Sequence, residues 1–331
     1  MHLRKTSSYK LARAAWICRS FLISLAVFCS TLLSIRIASG EPDSPSVMDY
    51  QPVIRVSSNL VTVPVSVTDA AGRTVTDLSL NDFRIQEDGR SEKISRIADA
   101  GRSPLQLALL FDVSGSLNRR FEFDQQAAIR FLEKVWKSGD RVSIITFSEQ
   151  AQIRLRDSQS LPDAIRMLLS LQPTDAATAF FDCIIDSAKL LKESGTPETR
   201  QATIVLSDGE DNRSDYSLAD ALRALQRSNT LFYSINPGGH SIRLNEISLK
   251  GQRDMTSLAG ETGGTAFVSD SAGDLDEIFS RIANELRAQY LLSYYSSNPR
   301  LNGEFRRISV SIPERPDLRV RARQGYYATQ K

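Results

Sequence analysis

The chain has 331 residues, 41% hydrophobic and 24% charged, enough apolar material for about two or three packed domains and unlike collagen, coiled-coil or low-complexity sequences. Lys and Arg number 41 against 39 Asp and Glu, but six of the basic residues and none of the acids lie in residues 1–40. The remainder therefore carries a net charge of −4, which offers no basic footprint for nucleic acid.

Residues 1–20 hold Arg4, Lys5, Lys10, Arg13 and Arg19 and no acid, residues 21–35 (FLISLAVFCSTLLSI) are apolar, and small residues follow at Ala38 and Gly40. Basic, apolar and small-residue regions in that order read as a secretory signal peptide over residues 1–40. The apolar stretch is shorter than the roughly 20 residues of a membrane span. The mature chain is thus expected in the periplasm or outside the cell, with no membrane span; the alternative is an uncleaved N-terminal anchor. Cys18 and Cys29 fall in this segment. Cys183, in FFDCIIDSAKLL, is expected as a buried helix thiol and not as a nucleophile.

Residues 41–102 form an N-terminal β segment. In NLVTVPVSVTD, Val61, Val63, Val65 and Val67 alternate with smaller or polar residues, and Pro64 points to an edge strand. Phe83 and Ile85 share a face, and Asp88-Gly89 marks a turn.

From residue 103 to 289 short apolar runs alternate with amphipathic segments. Strands are expected at 105–111, 141–147, 151–156, 202–207, 230–235 and 264–268. Helices are expected near 120–137, 160–170, 178–193, 217–228, 253–261 and 272–289. Ala128, Leu132, Val135 and Trp136 share one helical face. LQLALLF and ATIVLS are apolar throughout, as in parallel strands covered on both sides. The fold class is α/β, a doubly wound and mainly parallel sheet.

Residues 290–331 return to strands in a C-terminal β segment, whose paired tyrosines are read as sheet packing. Both ends of a doubly wound domain emerge opposite its site-bearing rim. Segments 50–100 and 290–331 are therefore expected to pair there as one β-sandwich.

Asp112, Ser114 and Ser116 follow the first α/β strand in LLFDVSGSLN. Thr178 lies in TDAATAFFD, where it opens a helix, and Asp208 follows a buried strand in VLSDGED. Open α/β sheets place their sites at the carboxyl ends of the strands, so three stretches deliver two carboxylates and three hydroxyls to one rim. Oxygen ligands suit Mg²⁺, Mn²⁺ or Ca²⁺ rather than Zn²⁺, and the only histidines are His2 and His240. Each residue also has a plain structural reading, as turn or N-cap. Asp182 and Asp211 lie close by and either tune the charge or are solvated loop residues, the latter being favoured for Asp211. The stretch 236–251 is expected on the same face, where it either shapes partner choice or is an ordinary connector.

DVSGS, Thr178 in ATAFFD and Asp208 in LSDGED resemble the metal-ion-dependent adhesion site (MIDAS) of von Willebrand factor A domains, over residues 103–289. GDRVSIITFS resembles that family's second strand, and the flanks resemble an exported bacterial "VWFA-related" group common in Acidobacteria. The resemblance implies that Ser114 and Ser116 bind the metal directly, that Asp112 acts largely through water, and that Thr178 and Asp208 complete the shell. It implies a free position for a partner's Asp or Glu carboxylate, and coupling of the site to the last helix. Neutral hydroxyls would keep the cation electrophilic towards that carboxylate.

The function expected is an exported, cation-dependent protein-binding module, not an enzyme. Two alternatives remain. One is a Mg²⁺-dependent hydrolase or phosphatase, although no P-loop and no Gly-x-Ser-x-Gly elbow is present. The other is a structural envelope protein with a vestigial site.

Overall fold

The computed structural model describes residues 60–114, 121–174, 176–196, 199–237, 246–269 and 272–329. The expected signal peptide and Ser116 lie outside these residues. In chain order come β1 (Leu60–Thr68), β2 (Arg84–Glu87), β3 (Arg90–Glu92), β4 (Ile94–Asp99), β5 (Leu105–Asp112), α1 (Phe121–Val135), β6 (Arg141–Phe147), β7 (Ala151–Ser158), α2 (Leu161–Ser170) and α3 (Phe180–Ser194). Then follow β8 (Arg200–Leu206), α4 (Leu218–Ser228), β9 (Thr230–Asn236), α5 (Glu246–Thr262), β10 (Ala266–Val268), α6 (Ala272–Ala288), β11 (Tyr290–Tyr295), β12 (Phe305–Ser311), β13 (Arg319–Ala322) and β14 (Gly325–Tyr327).

The central sheet has six strands in the order β10-β9-β8-β5-β6-β7. Its pairs are parallel except for β7, which runs antiparallel to β6. Every residue of β5 is buried. Leu105, Leu107, Leu109 and Phe111 pack with α1, α2 and α6, whereas Ala108 and Leu110 pack with α3, α4 and α5. Successive side chains of a strand point to opposite faces, so a strand covered on both faces must be apolar at every position. Cys183 is fully buried beneath the second face.

The flanking segments pair with each other. One four-stranded sheet runs β13-β1-β11-β4 and the other β14-β12-β2-β3, so each mixes strands from before and after the α/β layer. Val61, Val63, Val65 and Val67 share a core with Phe83, Ile85, Leu292, Tyr294 and Ile308. The β2–β3 hairpin turns through Asp88 and Gly89, with φ of 48° and 79°, as a two-residue primed turn requires. The α/β layer is inserted where the amide of Ala100 donates to the carbonyl of Gln289 at 3.0 Å.

Three expectations need correction. Pro64 lies in β1, an interior strand of its sheet, but β13 reaches only Val65–Thr68, so the strand is paired on one side alone at the proline. Helix α5 starts at Glu246, well before residue 253, and takes in part of the expected connector. Its first turns bury little, which leaves no apolar period to read. Helix α3 starts at Phe180, not at Thr178.

The sandwich encloses a charged pair. Arg306 Nη1 lies 3.1 Å from Glu87 Oε1, with side chains 3% and 2% exposed. Glu87 also accepts hydrogen bonds from Tyr294 Oη at 2.7 Å, Ser296 Oγ at 2.6 Å and Tyr326 Oη at 3.0 Å. Burial, with the Glu87 carboxylate beside it, pushes the Tyr294 hydroxyl far above the ordinary tyrosine range, so it stays a donor. Removing one member of a buried pair strands the other charge. Arg306→Met is therefore expected to cost about 3–5 kcal/mol in urea unfolding. A loss below about 1 kcal/mol, the size of one ordinary hydrogen bond, would show that the hydroxyls alone satisfy Glu87.

Candidate metal centre

Strand β5 ends in a buried carboxylate. Asp112 is 2% exposed, between β6 on one side and β8 on the other. One oxygen, Oδ1, accepts from the amide of Ser114 at 2.9 Å, and Oδ2 accepts from Ser207 Oγ at 2.7 Å. Ser207 is itself fully buried just past β8, and its hydroxyl accepts from the amide of Gly209 at 3.0 Å. Thus a serine next to Asp208 ties the Asp112 loop to the Asp208 loop. Sequence reasoning passed over Ser207, because a serine between a strand and an Asp-Gly turn looks like part of the turn.

Burial pushes the Asp112 carboxyl up to about 6, and the charge of Asp208 adds to that rise. Hydrogen bonds from Ser114 and Ser207 act in the opposite direction. Desolvation disfavours the ionised form and a nearby anion disfavours it further. A cation at this point would reverse both effects.

Asp208 opens a tight turn, its Oδ1 accepting from the amide of Glu210 at 3.1 Å. Gly209 has φ of 77°, and a Cβ there would come within 2.9 Å of the Gly251 carbonyl. The same contact from the other side would bring a Gly251 Cβ to 2.4 Å from the Gly209 carbonyl oxygen. Helix α5 therefore lies backbone-to-backbone against the Asp208 turn, and Ser248 Oγ donates to Glu210 Oε1 at 2.5 Å.

The segment bearing Thr178 is tied to both other loops. The amide and hydroxyl of Thr174 donate to the Val113 carbonyl at 2.6 and 3.0 Å. The Ala179 amide donates to the Ser148 carbonyl at 2.7 Å, beyond the end of β6. Thr178 is buried, and its amide donates to Asn212 Oδ1 at 2.9 Å. Asp211 is not the solvated loop residue that was expected: its Oδ1 accepts from the Phe180 amide at 2.9 Å. Asp182 accepts from the amides of Asp215 and Tyr216 at 3.1 and 3.2 Å.

Asp112, Ser114, Thr178 and Asp208 are thus carried by loops fastened to one another at the carboxyl rim of the sheet. Among the described residues, no three His, Cys, Asp or Glu side chains gather as a metal-holding group. The donors on offer are two carboxylates with hydroxyls, and one of those carboxylates is desolvated. This set fits a hard divalent cation and lacks the nitrogen and sulfur donors typical of zinc.

The von Willebrand factor type A domain family matches residues 106–281, just over half of the sequence. Proximal thread matrix protein 1 from the mussel byssus is similar at 16% identity and a TM-score of 0.49, over 61% of this chain and 51% of that one. A second structure of that protein, described as having a zinc-occupied MIDAS motif, gives 17% identity and 0.48 over 61% and 50%. BatB from Bacteroides thetaiotaomicron gives 19% identity and 0.40, over 55% of this chain and 98% of that one. The chain spans about half the length of the mussel protein. No curated protein matches it. With its residues 106–281 matched, the chain belongs to the von Willebrand factor type A domain family.

Proposed function

We propose that this protein is an exported protein-interaction module, and that Asp112, Ser114, Ser116, Thr178 and Asp208 hold a divalent cation. An all-oxygen shell suits Mg²⁺, Mn²⁺ or Ca²⁺. The cation takes an Asp or Glu carboxylate from a partner protein. Export rests on the basic, apolar and small-residue pattern of residues 1–40. Among the described residues, no helix is long and apolar enough to cross a membrane. The flanking segments also resemble those of the exported "VWFA-related" group.

The observation that carries the proposal is the desolvated Asp112 carboxylate, joined through Ser207 to the turn of Asp208. Burying one carboxylate beside another is unfavourable without a compensating charge. A cation supplies that charge, and hydroxyl ligands leave part of it unneutralised for an incoming anion. Ser114 and Ser116 would bind the ion directly, Asp112 would act largely through water, Thr178 and Asp208 would complete the shell, and the remaining position would face the partner.

Titration with Mg²⁺ or Mn²⁺ is expected to show one saturable site per chain. At a hundredfold excess over the dissociation constant, bound metal should add about 2.7 kcal/mol to stability. Asp112→Ala should lose both effects, and an unchanged titration would remove the cation from the proposal. A pull-down of exported proteins should retain a partner in Mg²⁺ and release it in EDTA. Metal-independent retention would favour the structural role. Turnover of para-nitrophenyl phosphate that Asp112→Ala abolishes would favour a hydrolase.

The Asp112 carboxyl also predicts an inverse effect on stability. Its value in the folded protein, about 6, lies above the ordinary 3.8. Its contribution is then fully present below about 4 and is lost as the pH rises through about 6. At pH 7, with metal chelated, the ionised carboxylate opposes folding. Asp112→Asn is therefore expected to melt higher than the chelated wild type at pH 7 and to lose metal stabilisation. A lower melting temperature for the variant would contradict this.

A further inference from the structure

Helix α3 opens with no cap of its own. Its N-cap residue is Ala179, which makes no side-chain cap. The first amides are met from another loop. The amide of Phe180 donates to Asp211 Oδ1 at 2.9 Å, and those of Phe181 and Asp182 donate to Ser214 Oγ at 3.0 and 3.2 Å. Ser214 Oγ in turn donates to Asp211 Oδ1 at 2.5 Å. Thr178 is held at both ends of its backbone. Its amide donates to Asn212 Oδ1 at 2.9 Å, and its carbonyl accepts from the amides of Asn212 and Arg213, each at 3.1 Å.

A threonine beside a helix start commonly spends its hydroxyl on a free helix amide. Here Asp211 and Ser214 meet those amides, so capping does not call on the Thr178 hydroxyl. The residues that do the capping sit on the turn that begins at Asp208. The carrier of one proposed ligand is thereby built into the carrier of another.

We infer that Asp211, Asn212 and Ser214 are positioning residues of the cation site. They join the Thr178 segment and the Asp208 turn into one unit, so that the two oxygens are presented to the metal together. The inference rests on the cation proposal made above and concerns how that site is kept in order. Loss of a group that orients a metal ligand typically lowers affinity by about 10- to 100-fold.

The test is Mn²⁺ affinity by calorimetry, with metal-free thermal unfolding and amide exchange, in Asp211→Ala, Asp211→Asn, Asn212→Ala and Asp112→Ala. Asp211→Ala and Asn212→Ala are expected to bind about 10- to 100-fold more weakly than wild type. The amides of residues 180–182 should exchange faster in Asp211→Ala. Asp211→Asn should stay within about threefold of wild type, because its amide oxygen accepts the same bonds while the negative charge is gone. If Asp211→Asn binds as weakly as the alanine variant, Asp211 acts by charge and the clamp is refuted. Wild-type affinity in folded Asn212→Ala and Asp211→Ala refutes it as well. Should Asp211→Ala fail to fold, Asp211→Asn and Asn212→Ala decide. Wild-type affinity in Asp112→Ala would instead remove the cation proposal, and the inference with it.

Discussion

The carboxylate of Asp112 stands where the central strand of a sheet covered on both faces runs out, and the rim is arranged around it. It is 2% exposed, and a desolvated anion is tolerated only when polar groups hold it. The Ser114 amide and the Ser207 hydroxyl do so from two loops. Those bonds bring the Asp208 turn alongside, and the backbone approach of Gly209 and Gly251 sets α5 against that turn. The Thr178 segment is then stitched to the end of β5 through Thr174 and to the Asp208 turn through Asn212.

The sandwich keeps clear of this rim. The chain enters β5 and leaves α6 at the opposite edge of the sheet, where Ala100 bonds to Gln289. The same side carries Glu285, a buried carboxylate near the end of α6 that accepts from Ser66 Oγ of β1 at 3.0 Å and Tyr233 Oη of β9 at 2.8 Å, and pairs with Arg321 of β13. One side chain of the last helix therefore bonds to strands of the sandwich and of the central sheet. Any displacement of α6 would have to break these buried bonds.

Much of the fold was legible because burial writes a simple pattern. A strand covered on both faces is apolar throughout, and LQLALLF could take few other places. Within the α/β layer, strand and helix ends other than the start of α5 agree with the structure to within two residues. The four alternating valines of β1 declared one buried face in the same way. Asp112, Ser114 and Asp208 could be placed on one rim because polar residues at the ends of apolar strands meet there in this topology, and Thr178 joined them through the helix expected to begin beside it. What stayed hidden depends on partners far away in the chain. Ser207 looks like a turn residue until its hydroxyl is seen on Asp112. Asp211 and Ser214 cap a helix that begins more than 30 residues earlier, and no local pattern announces that. The early start of α5 was missed for a related reason, since its first turns face outward and its packing depends on a glycine meeting another glycine.

Anomalous diffraction from crystals soaked in Mn²⁺ tests the cation site most directly. One strong peak is expected at the carboxyl rim of the sheet, about 2.0–2.6 Å from oxygens of two or more of Ser114, Ser116, Thr178 and Asp208, with Asp112 close by. Absence of a peak there at millimolar Mn²⁺, or a peak held by other residues alone, would contradict it.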